Sequence, residues 1–385
     1  MGRWWLAVCV VGLSCGTPAD TDSDTESDTD TDTDVDCDPA AADDVDDDGY
    51  TEATGDCDDC DPTRSPSATE IAGNDVDEDC NGAADTVVGP CDADLAVDAD
   101  ATAAARALGL CATEATDGWG LVSAAWETPD GLALTTATDD TDGHGVLAQF
   151  GVANVPREGE RLVVLSTGTA RGVADPGYGT TGGTTHGYST GFPPGFPTES
   201  SRCPNTITGS PYDGVALRLD LVPPLGARSV RLDVAWFTKS FPDFVCSTYG
   251  DGGAVLMAPA PAGALPSGNI VFDAANDSFA PEWTFLRACE AASPGGLEFT
   301  CPLGLGPLTG TGYSPEDQGE NEGGHGFGAG TGWLTVAAPI DPPGTPLTLR
   351  IPIWDAGDGV LDAAIALDHL RFGTETVVTH TEAIP

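Results

Sequence analysis

Alternation of apolar and polar residues dominates the second half of the chain. Val215, Leu217, Leu219 and Leu221 alternate with Ala216, Arg218 and Asp220; Val230, Leu232, Val234 and Trp236 alternate with Arg231, Asp233 and Ala235. Leu347, Leu349, Ile351 and Ile353 alternate with Thr348, Arg350 and Pro352. A period of two places one apolar face on each of three half-buried strands. Shorter runs at 162–165, 254–257 and 333–336 add further strands, and long Gly-, Pro-, Ser- and Thr-rich stretches, notably 168–200 and 304–331, separate them. Only ATAAARALGL, near residue 101, has the Ala and Leu spacing of a short helix. Many strands and few helices predict a mainly β protein, an antiparallel β-sandwich or jelly roll with the long loops projecting from its ends.

The first half follows other patterns. An apolar run from Trp4 to Leu13 follows Arg3; it is too short to span a membrane and has the form of a secretory signal. It ends Gly-Leu-Ser-Cys-Gly, which resembles a bacterial lipoprotein lipobox with Cys15 as the lipidation site, departing from it at Gly12. Residues 16–36 alternate acid with Thr or Ser and lack the apolar surface needed to fold, so they predict a disordered, self-repelling tether.

Carboxylates at alternate positions then meet a glycine twice. Asp44, Asp46, Asp48 and Gly49 hold the first, third, fifth and sixth places of a cation loop, with the Tyr50 carbonyl and Glu52 at the seventh and ninth. Asp77, Asp79, Asn81, Gly82, the Ala83 carbonyl and Asp85 repeat the arrangement. Gly55 and Val88 stand where a bidentate glutamate would close each loop, so Asp56, Asp58, Asp59 or Glu70 must reach in. Oxygen donors suit calcium; copper prefers imidazole or thiolate, and no histidine lies in 37–86. With Tyr50 and Ile71 as its main apolar residues, this module needs staples, from Cys37, Cys57, Cys60 and Cys80 and from bound ions. The predicted organisation is a signal peptide (1–15), a tether (16–36), a metal-binding loop module (37–86) and a β-sandwich (87–385).

Composition narrows the partners. A net charge of -48, from 14 Lys and Arg against 62 Asp and Glu, excludes nucleic acid. Setting aside Cys9 and Cys15, ten of the 12 cysteines remain, an even number that suits disulfides in an oxidising compartment, among them Cys91 with Cys111.

Two resemblances follow from these motifs. DxDxDGYTEATGDCDD, DPTRSPSATEI and DVDEDCNGAAD, over about 43–86, resemble the MopE-type metal-binding repeat. Ala72 stands where that family commonly has a cysteine, and Cys60 is additional. The family label is associated with copper, whereas the residues favour calcium. ALGLC, GLVSAAW, RLVVLSTGTA, ALRLDLVPP, VAWFTKSFPDFVCSTYGDGGAVLM, GTGWLTVAAPI and IPIWDAGDGVLDAAIALDHLRF resemble the choice-of-anchor L domain over about 90–375. Thr238, Lys239, Ser240 and Phe241 replace the usual Ser-Glu-Glu-Tyr-like run. That resemblance implies an extracellular surface-linked β domain without established catalysis, anchored here by the N-terminal lipid to the bacterial cell envelope, the outer membrane in particular. Without the lipid the protein would be secreted.

Chemistry beyond cation binding is sparsely encoded. Gly187-Tyr188-Ser189-Thr190-Gly191 matches the nucleophile-elbow pattern but sits in a Gly-Pro loop without the required strand and helix. His144, His186, His325, His369 and His380 show no zinc-ligand spacing, and His369 is expected on a strand face. Asp355, Asp358 and Asp362 surround Gly357 either as a second cation site, with Asp243 or Asp251 from a neighbouring segment, or as a polar turn. The expected protein is not an enzyme. Its role is structural or adhesive; the alternatives are a binding module whose sandwich loops take a surface polysaccharide or a neighbouring cell and, less favoured, a secreted hydrolase.

Overall fold

The computed structural model describes residues 44–46, 48–66, 68, 77–80, 91–134, 142–179, 186–317 and 328–384. All belong to one compact unit, Pro39–Pro385. The segments expected to be a signal peptide, ending at Cys15, and an acidic tether lie outside the described residues. Among the described residues, no helix is long and apolar enough to cross a membrane.

Among the described residues, twelve strands form two antiparallel sheets. In chain order they are β1 (Gly120–Glu127), β2 (His144–Leu147), β3 (Leu162–Ser166), β4 (Pro211–Val222), β5 (Ser229–Thr238) and β6 (Gly252–Gly253), then β7 (Leu256–Ala258), β8 (Ala329–Gly330), β9 (Leu334–Pro339), β10 (Leu347–Ala356), β11 (Ala363–Gly373) and β12 (His380–Ala383). One sheet runs β1-β4-β10-β6, with β7 also on β10; the other runs β12-β9-β5-β11-β3-β2, with β8 on β5. The residues singled out by alternation occupy the facing sides. Leu217, Leu219, Leu221, Ile351 and Ile353 of the first sheet share one buried cluster with Val230, Leu232, Val234, Trp236, Val336 and Ile365 of the second. This is the expected β-sandwich, two inner faces interdigitating in one core.

The second sheet differs from the half-buried expectation. Ala235 and Phe237 of β5, Leu162 and Val164 of β3, and Ala364 and Ala366 of β11 are buried on its outer side as well. There they form a second core with Phe150, Leu308 and Tyr313. Part of the 304–331 stretch therefore lies across the sheet instead of projecting from the sandwich end. Phe150 meets Phe237 edge-on at 5.2 Å, and Tyr313 packs 5.8 Å from Phe237.

The expected helix is α1 (Ala101–Ala107), capped by Asp100, whose side chain accepts the Ala103 N–H at 2.8 Å. Ala101, Ala104 and Ala105, at i, i+3 and i+4, are buried together with Leu108. A one-turn helix, α2 (Glu114–Asp117), follows. The expected Cys91–Cys111 disulfide is present, as are Cys203–Cys246 and Cys289–Cys301.

His369 lies on β11 as expected, but in the left-handed region (φ 52°), within a bulge where the register with β5 shifts between Asp368 and Arg371. The bulge gathers bases around Asp233, which is 1% exposed and receives Arg157 Nε (2.9 Å), Arg371 Nη1 (3.2 Å) and Thr335 Oγ1 (2.7 Å), with His369 Nδ1 at 3.3 Å. Burial alone would raise its pKa, but the bonds from His369, Thr335 and Arg157 and the charge of Arg371 outweigh burial and hold it at about 2. A depressed folded pKa gives stability that is complete above the unfolded value near 4 and lost as pH falls through the folded one. The native protein should therefore lose on the order of 2 kcal/mol more than Asp233→Asn between about pH 4 and pH 2, measured as the difference between their urea unfolding curves.

Candidate metal centre

The first acidic loop folds by accepting its own backbone. Asp48 N–H donates to Asp44 Oδ1 and to Asp46 Oδ1, both at 3.1 Å; Gly49 N–H donates to Asp44 Oδ2 at 2.9 Å, and Tyr50 N–H to Asp48 Oδ1 at 2.8 Å. These Asx-type turns wind the chain so that alternate carboxylates converge. A second segment meets them: Asp56 accepts Asp58 N–H at 2.8 Å, and Asp59 Oδ1 lies 3.4 Å from Val45 N. The Cys57–Cys80 disulfide and the Arg64–Asp58 ion pair (2.7 Å) hold that segment in place.

Two groups of carboxylates result, Asp44–Asp46–Asp59 and Asp46–Asp48–Asp56. Within each, one oxygen per residue lies within 4.8 Å of the others, and Asp46 belongs to both. Calcium–oxygen bonds of about 2.4 Å put ligands on opposite sides of the ion about 4.8 Å apart, so the spacing fits. The Oδ2 atoms of Asp46, Asp48 and Asp56 are buried without a hydrogen-bond partner. Asp48 and Asp56 are only 9% and 5% exposed. Burial, followed by the charges of Asp48, Asp56 and Asp44, pushes the Asp46 pKa up to about 6; burial, with Asp48, Asp59 and Asp58, also raises that of Asp56. Carboxylates so close and so poorly solvated call for a neutralising cation.

The donors are all carboxylate oxygens. Cys57, Cys60 and Cys80 are disulfide-bonded and offer no thiolate. The residues present therefore fit a hard cation such as calcium and lack the soft or imidazole donors that copper favours.

Of the residues expected to bind the ion, Asp44, Asp46, Asp48 and Asp56 come together, and Asp59 reaches in where a twelfth-position glutamate would have closed the loop. Glu52 is exposed on a one-turn 3-10 helix (Glu52–Thr54) and joins neither group, nor do Asp77 and Asp79. The Tyr50 amide supports Asp48. Asn81, Ala83 and Asp85 lie outside the described residues.

The loop seats directly on the sandwich. A Cβ added at Gly49 (φ +97°) would lie 2.8 Å from Leu225 Cδ2, and one added at Gly226 would lie 3.3 Å from the Asp48 carbonyl oxygen; Leu225 and Gly226 both lie in the β4–β5 turn. A cavity of about 430 Å³, lined in part by Asp48, Ser65, Trp119, Leu225 and His369, lies along this junction. Gly49→Ala is expected to destabilise the loop by at least about 1 kcal/mol, read as faster amide exchange across 44–50 with the sandwich core unaffected.

Away from this centre, Ser189 donates its hydroxyl to the Pro211 carbonyl (3.3 Å), and His186 Nε2 lies 2.9 Å from the Gly168 carbonyl. Each is engaged with backbone in these contacts.

Residues 56–86 match the family model Cu-binding MopE, described as a "Putative metal-binding motif". The matched span includes Asp56 and Asp59 but not Asp44, Asp46 or Asp48, which complete both carboxylate groups. No curated protein and no solved structure matches the chain.

Proposed function

We propose that this is a bacterial cell-surface lipoprotein in which an Asp-rich loop module binds calcium and thereby stiffens the connection between an N-terminal lipid anchor and a β-sandwich. The observation that carries the reading is the convergence of Asp46, Asp48 and Asp56 with buried, unbonded Oδ2 atoms. Bound calcium would neutralise carboxylates that otherwise repel, so binding energy becomes local folding energy. Asp48 and Gly49 rest on the β4–β5 turn, so the same ion would hold the module against the sandwich. The lipid on Cys15 and the 16–36 tether would place the module just outside the outer membrane. The sandwich, choice-of-anchor L-like in its segment order, would face outward in a structural or adhesive role without catalysis of its own.

Limited proteolysis of the full chain tests this. Chelator should open new cleavage sites within 37–90 and leave the sandwich intact, and added calcium should close them. Identical digestion with and without chelator would overturn the proposal.

A further inference from the structure

Buried acid is concentrated a second time, at one end of the sandwich. The ladder pairs Gly253 with Ile353 and Gly252 with Trp354. Its next step sets Asp251 opposite Asp355, close enough for the charge of Asp251 to act on the Asp355 carboxyl. Asp355 follows Ile351 and Ile353 by the strand period of two, so it continues the row that faces the opposite sheet. From that sheet's β5, Thr238 donates its hydroxyl to Asp251 Oδ2 at 2.9 Å, and Ser240, two residues on, donates at 3.1 Å. The other lobes have no such donors: Asp251 Oδ1 and Asp355 Oδ2 are buried without a hydrogen-bond partner, in residues each 2% exposed.

Charge at this end is unbalanced. Asp362 is also buried, and its carbonyl accepts the backbone N–H of Lys239 at 3.0 Å. Among the described residues here, Asp251, Asp355 and Asp362 therefore stand as three buried acids beside one buried base, Lys239. Two adjacent buried carboxyls cannot both stay ionised without a counter-charge, either a proton or a cation. Asp251 also lines a cavity of about 70 Å³ together with Ser247, Gly252, Asp277 and Trp354. A water needs about 10–15 Å³ of such space, so the cavity has room for several waters beside Asp251.

We infer that Asp251 and Asp355 form a divalent-cation site of calcium type, separate from the Asp44–Asp59 centre, which pins β6 to β10 at the sandwich end. The free lobes Asp251 Oδ1 and Asp355 Oδ2 would be the charged ligands, with cavity water completing the oxygen shell.

The test uses the full chain in three forms: native, Asp46→Asn/Asp56→Asn, and Asp355→Asn. Equilibrium dialysis with calcium chloride should show the Asp355→Asn protein holding one ion fewer than native. The thermal midpoint of Asp46→Asn/Asp56→Asn, in which the sandwich pair is untouched, should still rise by several degrees at calcium about 100-fold above its dissociation constant. Because this second readout needs no change at the pair, it holds even if Asp355→Asn folds poorly. A midpoint that ignores calcium and rises on acidification would mean that the pair shares a proton instead, and would overturn the inference. Failure of the Asp44–Asp59 centre would show differently, as no change in calcium bound between native and Asp46→Asn/Asp56→Asn.

Discussion

Asp46→Asn should abolish the calcium response of the loop module while leaving the sandwich folded. Asp46 is the residue common to both carboxylate groups, so its loss removes a charged ligand from each. At an effective dielectric of ~20, one unit charge about 4 Å from another contributes ~4 kcal/mol before desolvation, and more against a divalent ion. A net loss of about 2.7 kcal/mol corresponds to roughly a 100-fold rise in the calcium dissociation constant. The sign in the ion-free state is opposite. Removing one of several crowded carboxylates relieves repulsion, so chelated Asp46→Asn should resist protease at least as well as the chelated native protein. A variant that merely unfolds the loop would be cleaved faster under both conditions, and the pair of digests separates the two cases.

Trp236→Ala should destabilise the sandwich by about 3–5 kcal/mol, lowering the thermal midpoint by roughly 10 °C. Trp236 is fully buried in the core between the sheets and stacks on Phe279 at 5.8 Å. Its neighbour Phe237 is equally buried on the other side of the same strand. β5 is thus apolar-faced twice over, and little can move to refill the space. Trp236→Phe, which keeps an aromatic against Phe279, should cost about half as much. The module's calcium response should survive both substitutions at temperatures where the sandwich remains folded.

The inner faces of the sandwich were legible because strand geometry writes them directly into the chain. Leu217, Leu219 and Leu221, and likewise Val230, Leu232 and Val234, show the period of two without interruption. The outer core of the second sheet was not legible. Ala235, Ala364 and Ala366 are small enough to read as either face, and the residues covering them, Leu308 and Tyr313, come from a Gly-rich stretch with no periodicity. In the metal centre, Asp44, Asp46 and Asp48 announced themselves by spacing and by the glycine after them. Asp59 stood only as one of several candidates for reaching in, because its approach depends on how Cys57–Cys80 and Arg64–Asp58 fold the following segment back. Sequence spacing singled out Asp355, but the choice of Asp251 over Asp243 as its neighbour depends on the β6–β10 register, which local pattern does not encode.

Calorimetric titration of the full chain with calcium, set beside the same titration of Asp46→Asn, tests the central claim most directly. The account predicts a saturable component with a dissociation constant of about 10⁻⁴–10⁻³ M or tighter, as at extracellular oxygen sites, that disappears in the variant. The absence of a saturable calcium component in the native protein, or superimposable isotherms for the two proteins, would contradict it.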